Sequence, residues 1–458
     1  MQHRYRLYGI NQVKFTGFIL ANLALLFACR LQLCAQQSPG VNQSLRLSMK
    51  EAILLAQVQN KQVRAARTAE KASASDYKDS QAAALPNVSL DGSFQRYSRL
   101  TLYDGFLGNA RSIPLSPTAS AVTMNVASSF NLYSGGRQRS FEAELNYRKD
   151  LGGINVIEQS GNVGLQVAAL YLDMVSLYEQ QQLIADQIVR VETRLKNINA
   201  LYRNQKITRS DVLRAELNLS AVKLNLEQVE NDSKISNRRL NVLLDLSDTT
   251  TLFPTDSANI TRPGIGSLLS FAGTAGLDAY TVRKAGKDIN IQGARNGSIK
   301  SSNLPSLSVF WTYFLNYPNR LYYPTIDQPY SLGFAGIRIQ YNLSALYQNK
   351  YKVASGKLRL QELQLIQQAA GDEARQQAAS LLIKYQEALD RIAVNEKSIK
   401  QASVNYRIVN AKYLNQLALL TDLLDADNLY QETRYDLVRA QVTAQLIYYQ
   451  LLYTAGKL

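Results

Sequence analysis

Apolar and polar residues alternate in two rhythms along this chain, and the rhythms follow one another in a fixed order. The first segment opens at Leu47-Ser48-Met49-Lys50-Glu51, where Ser48 and Glu51 predict a capping box at a helix start. The helix runs through Ala- and Gln-rich sequence to Pro86. Beyond Pro86 the period becomes two: Val88, Leu90 and Phe94 alternate with Asn87, Ser89, Asp91 and Ser93. A second strand is predicted at 120–133, with Val122, Met124, Val126, Phe130 and Leu132 on one face and Thr123, Asn125, Ser129 and Asn131 on the other. A Gly/Pro/Ser-rich loop, residues 103–118, separates the two. The period then changes again. Val163, Val167, Leu170, Met174, Leu177, Ile184, Ile188, Val191, Leu195, Ile198 and Tyr202 keep a four-three spacing broken only at Gln181, a coiled-coil seam of about six heptads. A helix from about 134 to 202 would be roughly 100 Å long at about 1.5 Å per residue. Val212, Ala215, Leu219, Val222, Leu226, Val229, Leu240 and Leu243 continue the pattern on a return helix.

The whole order then repeats. Asn199-Ala200 and Tyr202 to Gln205 recur as Asn410-Ala411 and Tyr413 to Gln416, and Asp211, Leu213 and Ala215 recur as Asp422, Leu424 and Ala426, each at an offset of 211 residues. Ala84 to Leu90 resembles Asn303 to Val309 at an offset of 219. In the second unit Leu307, Val309, Trp311, Tyr313, Leu315 and Tyr317 alternate along one strand, and residues 330–343 form the other. A phase change near Ala335-Gly336 predicts a bulge there. The chain therefore divides into a leader at 1–35, a first repeat at 36–250, an irregular connector at 251–275 holding Pro254 and Pro263, and a second repeat at 276–458. The repeats carry strands at about 87–100 and 120–133, then 306–317 and 330–343. Their helical hairpins are expected at about 134–247 and 344–455.

The amino terminus and the chemistry of the side chains narrow the function. Arg4, Arg6 and Lys14 precede an apolar run, residues 15–28, of about 14 residues, short of the ~20 that a membrane helix needs. That pattern predicts a secretory signal peptide. Two processing routes fit: cleavage after Ala35, or a lipobox at Leu26-Phe27-Ala28-Cys29 that leaves Cys29 lipidated. Both cysteines, Cys29 and Cys34, and the only histidine, His3, lie in this leader. The remaining chain has no imidazole, which excludes Ser-His-Asp and Cys-His catalysis and any His-built metal site; no cofactor is expected. The formal charge of +15 falls to +11 without the four basic residues of the leader. The charges are scattered, with no Lys/Arg run or nucleic-acid-binding motif, so no nucleic-acid partner is expected.

Four strands cannot close a barrel, for which about eight is the minimum. An open sheet with an apolar face would leave unpaired edges in lipid. Both difficulties vanish if three chains contribute four strands each to one 12-stranded barrel with a lipid-facing and a water-facing side. Tyrosines near the strand ends (Tyr97, Tyr103, Tyr133, Tyr317, Tyr322, Tyr323, Tyr330, Tyr341) suit an interfacial girdle. The alternatives are a soluble β-sandwich edge or, for the whole chain, an exported coiled-coil adhesin or envelope scaffold.

The order signal, helix, Leu-Pro strand, loop, strand ending in Asn-Leu, and long helix pair, given twice, resembles the TolC-type outer-membrane efflux proteins. Its most specific piece is Thr421-Asp422-Leu423-Leu424-Asp425-Ala426, similar to that family's Val-Asp-Val-Leu-Asp-Ala motif. The resemblance implies a mixed fold: a membrane β-barrel on a long α-helical coiled-coil tunnel, tandem duplicated, four strands per chain, completed by homotrimerisation in the cell outer membrane with the helices in the periplasm. It implies no enzyme activity. It implies a periplasmic adaptor and an inner-membrane pump of RND, ABC or MFS type as partners, besides outer-membrane lipid. Asp422 and Asp425 would form two carboxylate rings at the tunnel's periplasmic end, a cation-selective gate; their other reading is as helix-start residues that favour the dipole. Tyr413 would link to Asp211 and hold the entrance closed. Asn204, Gln205, Asn415 and Gln416 at the hairpin tips would contact the adaptor. The chain departs from the family at Ala418, where an Arg is frequent, and at Gln205 and Gln416, where a Gly is common.

Overall fold

The computed structural model describes residues 44–458, apart from 106–107, 116, 259–264 and 322–323. The expected leader with Cys29, and Tyr322 and Tyr323 of the expected girdle, lie outside these residues. The chain runs β1 (Ser44–Leu47), α1 (Met49–Gln59), α2 (Lys61–Ala82), β2 (Asn87–Arg96), β3 (Leu100–Tyr103), β4 (Ala110–Ile113), β5 (Ser120–Tyr133), α3 (Arg137–Arg203) and α4 (Arg209–Leu244). It continues with β6 (Thr251–Pro254), α5 (Ile265–Asp278), α6 (Tyr280–Ser301), β7 (Ser306–Tyr317), β8 (Tyr330–Gln340), α7 (Ala345–Gln348), α8 (Lys350–Leu414) and α9 (Leu420–Thr454). α1 opens on the expected capping box: Glu51 accepts from the Ser48 backbone N–H at 2.8 Å, and Ser48 Oγ accepts from Glu51 N.

The two repeats meet in one antiparallel sheet of order β2-β5-β7-β8. Register puts Val88, Leu90 and Phe94 on the same face as Val122, Met124, Val126 and Phe130, and these on the same face as Val309, Trp311, Tyr313, Leu315, Ile337 and Ile339. Most of these apolar side chains are exposed in the single chain, and β2 and β8 each keep one unpaired edge. The bulge expected near Ala335-Gly336 is absent. β7 and β8 pair without interruption from Ser306↔Gln340 to Asn316↔Tyr330. The phase change in the sequence is a change of face: Leu332 and Phe334 stand on the side that carries Asp91, Thr123 and Asn125, Ile337 and Ile339 on the apolar one. The register shift of the sheet lies instead in β5, between Asn131 and Tyr133.

From the sheet the chain turns into the first long helix through Gly135 (φ +64) and Gly136 (φ +83). A Cβ on Gly135 would lie 2.6 Å from the Ser301 carbonyl, so only glycine fits, and the helix starts at Arg137 rather than at 134. α3 has 67 residues and α8 has 65, each about 100 Å long. Each returns through a shorter antiparallel helix, α4 or α9. Along α3 and α4, Leu177, Ile184, Val191, Val222 and Val229 form one buried seam, as the heptads predict. The offset of 211 survives in three dimensions: α3 and α8 end at Arg203 and Leu414, and α4 and α9 begin at Arg209 and Leu420.

Near the middle of the molecule, β1 and β6 form a short parallel pair. Asp256 Oδ2 accepts from Met49 N at 2.7 Å and lies 3.1 Å from the Tyr171 hydroxyl, which also reaches the Leu47 carbonyl at 2.8 Å. The largest core cluster surrounds this clamp with Ile53, Val163, Val167, Leu172 and Leu240. The segment 251–275, expected to be irregular, holds β6 and most of α5. Glycines hide α5 in the sequence; Leu268 and Ala275 fix it by packing among Ala378, Tyr385, Ile447 and Leu451 of α8 and α9. Among the described residues no helix is long and apolar enough to cross a membrane.

Candidate functional site at the hairpin tips

The two tips are built alike. At the first, Gln205 N donates to Tyr202 O and Lys206 N to Leu201 O; at the second, Gln416 N donates to Tyr413 O and Leu417 N to Lys412 O. These are Schellman closures, and they put Gln205 (φ 58) and Gln416 (φ 64) in the left-handed region that glycine ordinarily fills. Asn204 and Asn415 each donate from Nδ2 to the carbonyl one turn back, Ala200 and Ala411, at 2.9 Å. All four residues are exposed. The second tip also exposes Leu414, Leu417 and Leu419.

The return helices start alike too. Asp211 accepts from Thr208 N and Oγ1 at 3.1 and 2.7 Å, and Thr208 caps in return. Asp422 stands in the same place and accepts from Leu419 N at 3.1 Å. Leucine has no acceptor to return, so this cap is one-sided. Asp422 therefore has a local task of its own at the helix start. Asp425 is exposed, one helical turn further on.

Between the tips lies a small apolar core of Ile198, Val212, Ala215, Tyr413, Leu420 and Leu423, drawn from all four long helices. Ala418, at the position where Arg is frequent in the resembling family, packs against it. Tyr413 is buried, and its hydroxyl has no hydrogen-bond partner among the described residues. Burial pushes its phenol upward, the nearby Asp211 carboxylate adds to this, and Arg194 opposes it. Tyr413 and Asp211 are thus brought into electrostatic reach within one chain, while Asp211 spends its carboxylate on Thr208.

Just above this core is a polar layer that the sequence reading did not single out. Asp427, 1% exposed, accepts from Arg194 Nη2 at 2.8 Å and Arg190 Nε at 3.3 Å. Arg190 Nη2 also donates to Gln431 Oε1 at 3.0 Å, and Gln431 Nε2 to the Leu183 carbonyl at 2.9 Å. Tyr430 stacks on Tyr406, with the Arg190 and Arg434 guanidinium groups 5.8 and 5.6 Å from its ring centre. The layer joins α3 of the first repeat to α9 of the second. A sequence signal existed: Leu420, Leu423, Asp427 and Gln431 keep core spacing on α9, as do Ile184, Gln187, Val191, Arg194 and Ile198 on α3. An acid and a base each sitting in a hydrophobic seam are candidates for one another. Among the described residues no group of His, Cys, Asp and Glu could hold a metal ion.

Comparison with known proteins places this geometry. Residues 52–245, which span most of the first repeat, match the family model described as outer membrane efflux protein. No curated protein sequence matches. Solved structures do. The outer membrane protein VceC from Vibrio cholerae superposes with a TM-score of 0.73 at 15% identity, over 89% of this chain and 96% of that one. CusC gives 0.73 at 14% identity, over 92% and 95%. The open-state MtrE outer membrane channel of Neisseria gonorrhoeae gives 0.70 at 17%, over 92% and 93%. At such identities these likenesses speak for the fold.

Proposed function

We propose that the chain, whose residues 52–245 match the outer membrane efflux protein family, is one protomer of a homotrimeric export channel in the cell outer membrane. The family is one of channels, and the chain is not an enzyme. One observation carries the trimer: a four-stranded antiparallel sheet, apolar and exposed on one face across all four strands, with both edges unpaired. Such a sheet cannot sit in lipid alone. An even number of antiparallel strands lets β8 of one copy pair antiparallel with β2 of the next, and three copies close a barrel of twelve. The apolar face then meets lipid and the face bearing Ser89, Asp91, Thr123 and Asn125 meets water. An adhesin or scaffold would leave that apolar face uncovered.

The long hairpins would form the periplasmic tunnel. Exposed stripes on α4 (Leu213, Leu217, Leu224, Val242) and on α8 (Leu358, Leu365, Val404, Ile408) offer surfaces for the neighbouring copies. Asp422 and Asp425 ring the entrance as a cation-selective constriction. Tyr413 and Asp211 lie where the two hairpins meet and hold them together in the closed state. The exposed tips, with Asn204, Gln205, Asn415, Gln416 and the three leucines of the second tip, dock a periplasmic adaptor that connects an inner-membrane pump. The test is direct: the purified protein should run as a heat-resistant trimer in detergent and conduct ions in planar bilayers. Replacing Asp422 and Asp425 by Ala should weaken cation preference; an intact sheet in a monodisperse, non-conducting monomer would refute the proposal.

A further inference from the structure

The polar face of the sheet is not polar throughout. Its β2 and β5 portion carries Asn87, Ser89, Asp91, Thr123, Asn125 and Ser129, as a water-facing wall should. On β7 and β8 the same face carries Phe310, Phe314, Tyr330, Leu332 and Phe334. Their rings form a chain of edge-to-face contacts: Phe310 to Phe334 at 6.1 Å, Phe334 to Phe314 at 6.3 Å, and Phe314 to Tyr330 at 6.0 Å. Aromatic rings in sheets commonly cover a cross-strand glycine, and Phe310 does so: it pairs with Gly336, where a Cβ would lie 2.9 Å from its ring. That role does not extend to Phe334, opposite Thr312 and 48% exposed, or to Leu332, opposite Phe314. Exposed rings on a wetted wall are a cost unless something covers them. At the helix-side end of the patch the Arg338 guanidinium lies 4.8 Å from the Phe310 ring centre, and it has no ion pair among the described residues. Phe310 is therefore flanked by an open aromatic surface on one side and an uncompensated cation on the other.

We propose that this patch is a contact site for planar aromatic anions that enter the barrel lumen, the ring stacking on Phe334 and Phe310 and the anionic group pairing with Arg338. The site rests on the reading of this face as the lumen of a channel. Charge complementarity selects the ligand class, since an aromatic cation would meet Arg338 unfavourably and an aliphatic anion would leave the rings bare. The probe is naphthalene-2-sulfonate, applied to the full-length protein in planar bilayers. Butanesulfonate and 2-naphthylmethylammonium serve as the aliphatic-anion and aromatic-cation controls. Naphthalene-2-sulfonate should reduce conductance at a concentration about tenfold lower than either control. Phe334→Ala and Arg338→Gln should each weaken that block about tenfold while the trimer stays heat-resistant and open conductance is kept. Conductance with equal block by all three probes, or block unchanged in both variants, would overturn the site and leave the channel standing. A wild-type protein that conducts nothing would overturn the channel and this site with it.

Discussion

Replacing Asp427 by Leu is the substitution that should hurt this fold most for a single polar side chain. Asp427 is 1% exposed and holds two guanidinium groups, one of them, Arg194, buried as deeply as the core around it. Without the carboxylate, Arg194 stays in place with no counter-charge, and one of its nitrogens, Nη1, already lacks a hydrogen-bond partner among the described residues. Breaking a buried pair from one side costs about 3–5 kcal/mol, far above the ~1 kcal/mol of an exposed pair such as Arg391 with Glu387. The loss is local to the contact of α3 with α9, so hydrogen exchange of their amides near residues 190–198 and 423–431 is the assay of choice. An opening free energy lowered by that amount speeds exchange roughly a hundred- to a few thousandfold, at about 1.4 kcal/mol per tenfold. The double variant Asp427→Leu with Arg194→Met should recover most of the protection, because it removes the stranded charge and keeps the volume. Exchange unchanged in Asp427→Leu, or a double variant as open as the single one, would refute the electrostatic argument and leave only a packing effect.

Four other substitutions and one titration follow from the same geometry. Gln205→Gly and Gln416→Gly should each stabilise the tips by up to about 1 kcal/mol, since a left-handed residue with a Cβ is strained; a lower melting temperature in both would contradict this. Asp422→Ala should lose a helix cap worth about 0.5–1 kcal/mol, whereas Asp425→Ala should leave stability unchanged, and equal losses in both would contradict the different places they hold. Burial raises the phenols of Tyr171, Tyr280, Tyr435, Tyr449 and Tyr453 above their ordinary value. The folded chain therefore keeps protons that the unfolded chain releases above about pH 10, so stability is whole below that pH and falls as pH climbs past it. Phenolate absorbance should then rise together with loss of helical dichroism; phenolate appearing well before unfolding would contradict the burial argument.

Much of the architecture was legible because its signals are periodic. The strand expected at 120–133 occupies Ser120–Tyr133, since alternation of Val122, Met124 and Val126 with Thr123 and Asn125 has no other regular solution. The heptads of α3 and α4 were legible for the same reason. Alternation failed at β8, where it cannot tell a bulge from an apolar set that changes face. The aromatic patch is the consequence, and only the pairing register reveals it. α5 was not legible because its glycines argue against a helix and its packing partners lie over a hundred residues away. Among the three aspartates of residues 422–427, the two that resemble a known motif drew attention. The third, the buried one, could be recognised only through Arg194, 233 residues earlier in the chain.

Closure of the barrel between copies is the central claim, and disulfide trapping across the open sheet edges tests it most directly. Residues 36–458 contain no cysteine, so pairs introduced on the water-facing side of β2 and β8, such as Ser89→Cys with Arg338→Cys and Ser93→Cys with Phe334→Cys, report on those edges alone. Stepping such pairs through successive registers should find one at which oxidation in the membrane gives covalent dimers and trimers, and nothing larger, because a head-to-tail contact that closes after three copies has no free edge left. Monomer at every register, or a ladder that extends past the trimer, would contradict the account.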